Sequence, residues 1–240
     1  MPASQSVAEV RPKAGLLVLG VDSCGPSGSV ALATIEGGMA RILRQIELAG
    51  RSYSATLVAA VGELLAGQAV RLGEIAAVVV VSGPGSFTGV RVGLSAVKGL
   101  AEPGQIPVVA VSRLAVLAAK AQVISAALDA HRHEVFLRLE EPDASVREML
   151  AGTEELATVA LRPKKVAVCD NEAAALLELA WVGTELVRCE APTAQDAVQL
   201  CVPEILARKF ADLASLDGHY LRRSDAEIFG DPTTARVRQG

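Results

Sequence analysis

The residues best suited by type and spacing to do chemistry lie in SGPGSFTGVR (82–91), directly after the apolar run AAVVVV (76–81). Glycines there can take positive φ or let the backbone approach a ligand closely. The N-terminus of the helix that follows offers free N–H groups suited to phosphate oxygens. With Asp22, a carboxylate at the end of the first apolar run, the candidate nucleotide contacts are Asp22, Gly83, Gly85, Ser86, Thr88 and Gly89. Neither specific phosphate motif fits. After Gly83 the P-loop pattern requires glycine at 88 and lysine at 89, where Thr88 and Gly89 stand; the dinucleotide fingerprint also requires glycine at 88. A tight strand-to-helix turn capped by Ser86 or Thr88 explains the same residues, as an ordinary turn role explains Asp22.

Catalytic machinery is harder to place. His131 and His133 flank the expected tip of a hairpin without further ligands, which favours exposed loop histidines over a metal pair. His219 stands beside Tyr220 without a partner. No G-x-S-x-G or H-E-x-x-H pattern occurs, so no catalytic residue and no metal site is assigned. The four cysteines (Cys24, Cys169, Cys189, Cys201) form no C-x-x-C pair and read as buried reduced thiols. The net charge of −4, with no basic run, argues against direct strong nucleic-acid binding by this chain alone.

The elements that must position these residues follow from composition and order. With 51% hydrophobic but only 3% aromatic residues, the core must be built from Ala, Val and Leu, as in an α/β protein. Residues 1–14 read as a disordered leader, and no segment reaches the length of a membrane span. Strands are expected at 16–23, 29–36, 39–48, 76–81 and 107–112, with helices over 53–67 and 88–101. The second half repeats the order: strands at 121–129, 134–141, 145–150, 164–170 and 185–189, helices over 153–161 (capped by Thr153), over 171–182 (capped by Asn171) and over 193–214 with a kink at Pro203. The expected organisation is a lobe over 15–112, a smaller lobe over 113–215 and a tail over 216–240. Two copies of βββαβαβ give the predicted fold class: two lobes of the actin-like ATPase type (ribonuclease H-like), in which nucleotide sits between the lobes and a first-strand Asp approaches the metal–phosphate zone.

The first two helices carry a further signal. Over 53–67, Leu57, Val61, Leu64 and Leu65 share one face, and Ala55, Ala59, Gly62 and Ala66 nearly the opposite one. Over 88–101 the polar residues Arg91, Ser95 and Lys98 form one narrow strip, leaving an apolar arc of about 220° at roughly 100° per residue. A helix apolar nearly all round needs cover on more than the sheet side. The expected partner interface is Ala55, Ala59, Gly62, Ala66, Val92, Gly93, Ala96 and Gly99; the competing reading is an internal pair in which each helix covers the other.

GLLVLGVDSCGPSGSVAL, SGPGSFTGVRVGLSAVKGLA, IPVVAVSRLAVLA, ALDAHRHEVFL and HYLRRSDAE together resemble the TsaB (YeaZ) family over most of residues 15–228. The resemblance implies a cytoplasmic, non-catalytic scaffold and activator that pairs with the paralogous TsaD, joined by the ATPase TsaE, in making threonylcarbamoyladenosine beside the tRNA anticodon. It implies contact through the first two helices, with a homodimer as the alternative, and contact with tRNA only through the complex. No firmly bound cofactor is expected, and any ATP or ADP contact falls at the complex interface. The sequence departs from the family pattern at Ser23-Cys24 (Thr-Ser expected) and Tyr53-Ser54 (His-Ser expected). Two rivals remain: a stand-alone kinase of the actin-like fold, which the missing base opposes, and a peptidase, which needs a metal or nucleophile pair.

Overall fold

Two five-stranded mixed sheets organise the chain in a computed structural model that describes residues 15–49 and 52–222. The expected leader over 1–14 and the tail beyond 222 lie outside the described residues. The first sheet holds β1 (Leu16–Asp22), β2 (Ser27–Glu36), β3 (Met39–Ala49), β4 (Ile75–Val81) and β5 (Val108–Val111), in the order β3-β2-β1-β4-β5. β1 to β3 run antiparallel, and β4 and β5 join parallel. The second sheet holds β6 (Ser125–Asp129), β7 (Val135–Glu140), β8 (Val146–Ala151), β9 (Lys165–Val168) and β10 (Glu185–Arg188). Its order, β10-β9-β6-β7-β8, has the same pattern of three antiparallel strands followed by two parallel ones. Both are sheets of the actin-like, ribonuclease H-like type, as the element order predicted.

The first sheet is covered on both faces, which is why β4 is almost wholly apolar. Helices α1 (Tyr53–Gly67) and α2 (Phe87–Ala101) cover one face. The other is covered by α6 (Ala194–Leu200), from the far end of the chain. A Cβ at Gly20 would lie 2.7 Å from Val198 and 2.8 Å from the Ala194 carbonyl, so glycine lets α6 cross β1 closely. The Ala194 N–H donates to Ser29 Oγ at 2.8 Å. Residues 194–206 were expected in the second lobe; instead Ala197, Val198, Cys201, Val202 and Ile205 join the first core. The sheet needs cover on its second face, and this segment supplies it.

One helix lies outside those expected from the sequence: α3 (Arg113–Lys120), only eight residues long. It buries Leu114, Leu117 and Ala118 against Ala126, Leu128 and Phe136, and so carries the chain from the first sheet into the second core. Two caps differ from expectation. α4 (Thr153–Thr158) is capped from Gly152, whose N–H donates to Glu155. α5 (Asn171–Ala180) is capped by Asp170 rather than Asn171, because Asp170 Oδ1 accepts from the Ala173 N–H at 2.7 Å. The expected helix over 193–214 stops at Cys201 and restarts as α7 (Val202–Leu206), with Pro203 in the first turn, where a missing N–H costs no helical bond. No helix among the described residues is long and apolar enough to cross a membrane.

Candidate functional site

The glycine loop leaves β4 and lies against the turn between β1 and β2. The Ser86 N–H donates to the Cys24 carbonyl at 2.8 Å, and the Ser23 hydroxyl donates to the Gly89 carbonyl at 2.7 Å. A Cβ at Gly85 would run into the Cys24 carbonyl, one at Gly89 into the Ser23 carbonyl, and one at Gly93 into Ser23 Oγ. Three of the glycines therefore serve a close backbone approach within the protein. Gly83, at φ +111°, faces the His219 carbonyl instead. Ser86 is the cap of α2, accepting from the Gly89 N–H at 3.2 Å, and Thr88 is exposed.

Asp22 is fully buried at the end of β1. Its Oδ1 accepts from the Cys24 N–H at 2.8 Å, and its Oδ2 lies 3.7 Å from Nε of Arg113, the first residue of α3. The carboxylate thus already faces a cation, where an actin-like ATPase would present it to a metal. Burial opposes the charge on Arg113, but the fields of Asp22, Cys24, Cys169 and Tyr53 outweigh it, so its pKa is raised. Burial and the field of Asp22 push the Cys24 thiol well up, and it donates to the Val81 carbonyl at 3.2 Å. Tyr53 is pushed up to about 12 by burial first and Asp22 second, and its hydroxyl donates to the Gly25 carbonyl at 2.8 Å. These thiol and phenol groups are therefore protonated near neutral pH. Cys169 and Cys189 are only half-buried, unlike the buried thiols expected for all four cysteines.

Between the two sheets lies a cleft of 1040 Å³. Cys24, Gly25 and Arg113 form its floor, Leu128 and Phe136 line its second-lobe side, and residues 219–222 border it. That C-terminal strap ties the lobes together. The His219 N–H donates to the Ser82 carbonyl at 2.7 Å, and its Nε2 lies 2.8 Å from Glu148 Oε2. Glu148, on β8, also accepts from the Ser112 hydroxyl at 2.6 Å and from Arg138 at 2.7 Å. Burial acts to raise the Glu148 pKa, yet the bonds from His219, Ser112 and Arg138 bring it below the usual carboxylate range. Arg222 bonds Glu134 and the Ala130 carbonyl, and Tyr220 packs on Phe87, its ring centroid 4.9 Å away, beside Arg91. Arg113, Glu148 and the strap were missed from the sequence; Ser112-Arg113 directly after β5 was the available signal. His131 is exposed and pairs with Asp129 at 2.7 Å, and His133 is exposed beside it.

The residues expected at a partner interface divide. Ala55, Ala59, Gly62 and Ala66 are all exposed on α1, with Val58 56% exposed among them. On α2, Gly99 is exposed, Val92 and Ala96 are half-buried against the first core, and Gly93 is buried under Ser23. Gly93 therefore belongs to the internal contact, because α2 must sit close to the β1–β2 turn.

A family model described as TsaD, tRNA N6-adenosine threonylcarbamoyltransferase, matches residues 41–176, more than half of the 240 residues. The tRNA threonylcarbamoyladenosine biosynthesis protein TsaB of Haemophilus influenzae is 36% identical over 96 residues, 38% of this chain and 41% of that protein. TsaB of Bacillus subtilis is 31% identical over 128 residues, 52% of this chain and 55% of that one. The chain belongs to the TsaB (YeaZ) family. The TsaD model fits that placement through the paralogy of TsaB and TsaD. YeaZ from Pseudomonas aeruginosa, a solved structure, superimposes with a TM-score of 0.69 at 25% identity, covering 86% of this chain and all of that one. The chain spans about half the length of the curated relatives it matches.

Proposed function

We propose that the chain is a non-catalytic partner subunit in tRNA threonylcarbamoyladenosine synthesis; the names of its curated relatives support the pathway. In this reading it acts in the cytoplasm, binds TsaD through the outer face of α1 and the adjoining part of α2, and meets TsaE and tRNA only within the complex. The observation that carries the reading is the α1 face: Ala55, Val58, Ala59, Gly62 and Ala66 lie exposed in one stripe, with no side chain longer than valine. Such a stripe lets a second helix approach closely and buries apolar area without ordering long side chains. The same face would serve a homodimer when TsaD is absent.

The cleft supports the non-catalytic part. Asp22 is neutralised by Arg113, and the glycine loop spends its close approaches on Ser23 and Cys24. Any nucleotide role then belongs at the complex interface rather than on the glycine loop. Reconstituted threonylcarbamoyl transfer with the cognate TsaD and TsaE should require this chain in proportion to TsaD, while the chain alone should turn over no ATP. ATP turnover by the isolated chain would support the kinase reading instead.

A further inference from the structure

We propose that Cys169 and Cys189 form a dithiol site that a low-molecular-weight disulfide converts into a cross-strand disulfide between the ends of β9 and β10. This goes beyond the scaffold role and does not depend on it. β9 and β10 run parallel, with Val168 opposite Arg188 as their last pair. The Cys189 N–H donates to the Val168 carbonyl at 3.1 Å, and the next step in the same register sets Cys189 beside Cys169. Alternation along the strands puts both side chains on one face of the sheet. The packing agrees. Both thiols lie against the core that α3, β6 and β7 share with Ala167, whereas Val166, Val168 and Leu186 pack in the other core of the second lobe. The field of Cys189 is felt at Cys169.

Neighbouring strands lie about 4.7–4.9 Å apart, within the Cα separation of about 4.4–6.8 Å that a disulfide spans. The bond also draws the Cβ atoms to about 3.8 Å, closer than a regular strand pair holds them. Both cysteines stand one position past the last ladder pair, and β10 is an edge strand, so that adjustment falls outside the paired segments. Both thiols are half-buried and Cys169 lines the cleft, which gives a small reagent access. Cys24 and Cys201 are buried in the first core, which keeps them from it. Burial pushes Cys169 up to about 11 and raises Cys189 as well, so the reaction is slow at neutral pH and quickens in mild alkali. The same burial withholds thiolate stabilisation from the reduced form, which favours the disulfide once made.

The exchange balances. One thiol loses its proton, attacks a reagent sulfur and expels one reagent thiolate. The other, likewise deprotonated, attacks the mixed disulfide and expels the second. Two protein S–H bonds and one reagent S–S bond become one protein S–S bond and two reagent S–H bonds. The new bond sits just before residues 190–193, which carry the chain to α6; there Lys120 holds the Ala191 carbonyl at 3.1 Å and Asp196 at 2.9 Å. It therefore lies at the root of the crossing from the second sheet to the first.

Incubation of the folded full chain with excess oxidised glutathione at mildly alkaline pH, followed by alkylation and peptide mass mapping, tests the site. The expected product is a monomer with a Cys169–Cys189 link that has lost two hydrogens and returns to free thiols with dithiothreitol. Cys169→Ala and Cys189→Ala, each shown folded by its melting transition, should instead keep a glutathione adduct on the remaining thiol, because no second thiol resolves it. A wild type that accumulates glutathione adducts at Cys169 or Cys189 without the link, links a different pair while folded, or stays fully reduced overturns the proposal.

Discussion

Asp22 and Arg113 meet at 3.7 Å on the floor of the cleft, one at the end of the first strand of the first sheet, the other at the start of the helix that enters the second core. The pair joins the two halves where an actin-like enzyme would hold a metal. Removing one partner strands the other charge out of water. Arg113→Met is therefore expected to lose about 3–5 kcal/mol of stability in urea denaturation. Asp22→Asn/Arg113→Met should lose clearly less. Equal losses in the two variants would mean that the charges do not compensate each other.

Gly93 lies under Ser23, with no room for a methyl group. Gly93→Ala is expected to cost about 1–3 kcal/mol through overpacking. Ser23→Ala removes the obstructing hydroxyl, so Ser23→Ala/Gly93→Ala should recover part of that loss. A thermal melt of the double variant below that of Gly93→Ala would show that the obstruction lies elsewhere.

Glu148 sets a pH dependence. Its folded pKa is below the usual value, so its carboxylate stabilises the protein above the ordinary glutamate pKa, about 4.3. That contribution is lost as pH falls through the lower, folded value. The stability difference between wild type and Glu148→Gln should thus be largest near neutral pH and shrink on acidification below the ordinary value. A difference that stays constant into acid would mean that the His219, Ser112 and Arg138 bonds do not depend on the charge.

The strands and most helices were legible in the sequence because their signals are local. LLVLGVDS, SVALATIE and AAVVVV are apolar runs of strand length, and GG at 37–38 is a turn that takes positive φ. The return of α6 to the first sheet was not legible, since its partners, Gly20 and Ser29, are more than 160 residues away in sequence. The glycine loop was found but its use was not. A glycine that accommodates Ser23 and one that accommodates a phosphate look alike in sequence. Arg113 escaped notice because α3 is short and because its partner, Asp22, stands at the other end of the lobe.

The exposed stripe on α1 makes one variant especially clean. Ala59 is exposed, so Ala59→Arg should change stability by no more than about 0.5 kcal/mol. Ala96 packs against the first core, and Ala96→Arg should destabilise the fold as well as any interface. A substantial loss of melting temperature in Ala59→Arg would show that this face is already covered within the chain.

The proposed partnership is tested most directly by the affinity of the purified chain for the cognate TsaD, measured for the wild type and for folded Ala59→Arg. Saturable wild-type binding that Ala59→Arg abolishes, or weakens at least about a hundredfold as expected of an arginine forced into a close helix contact, is the result this account predicts. Equal binding by the two would contradict the α1 interface, and no binding by the wild type would contradict the partnership itself.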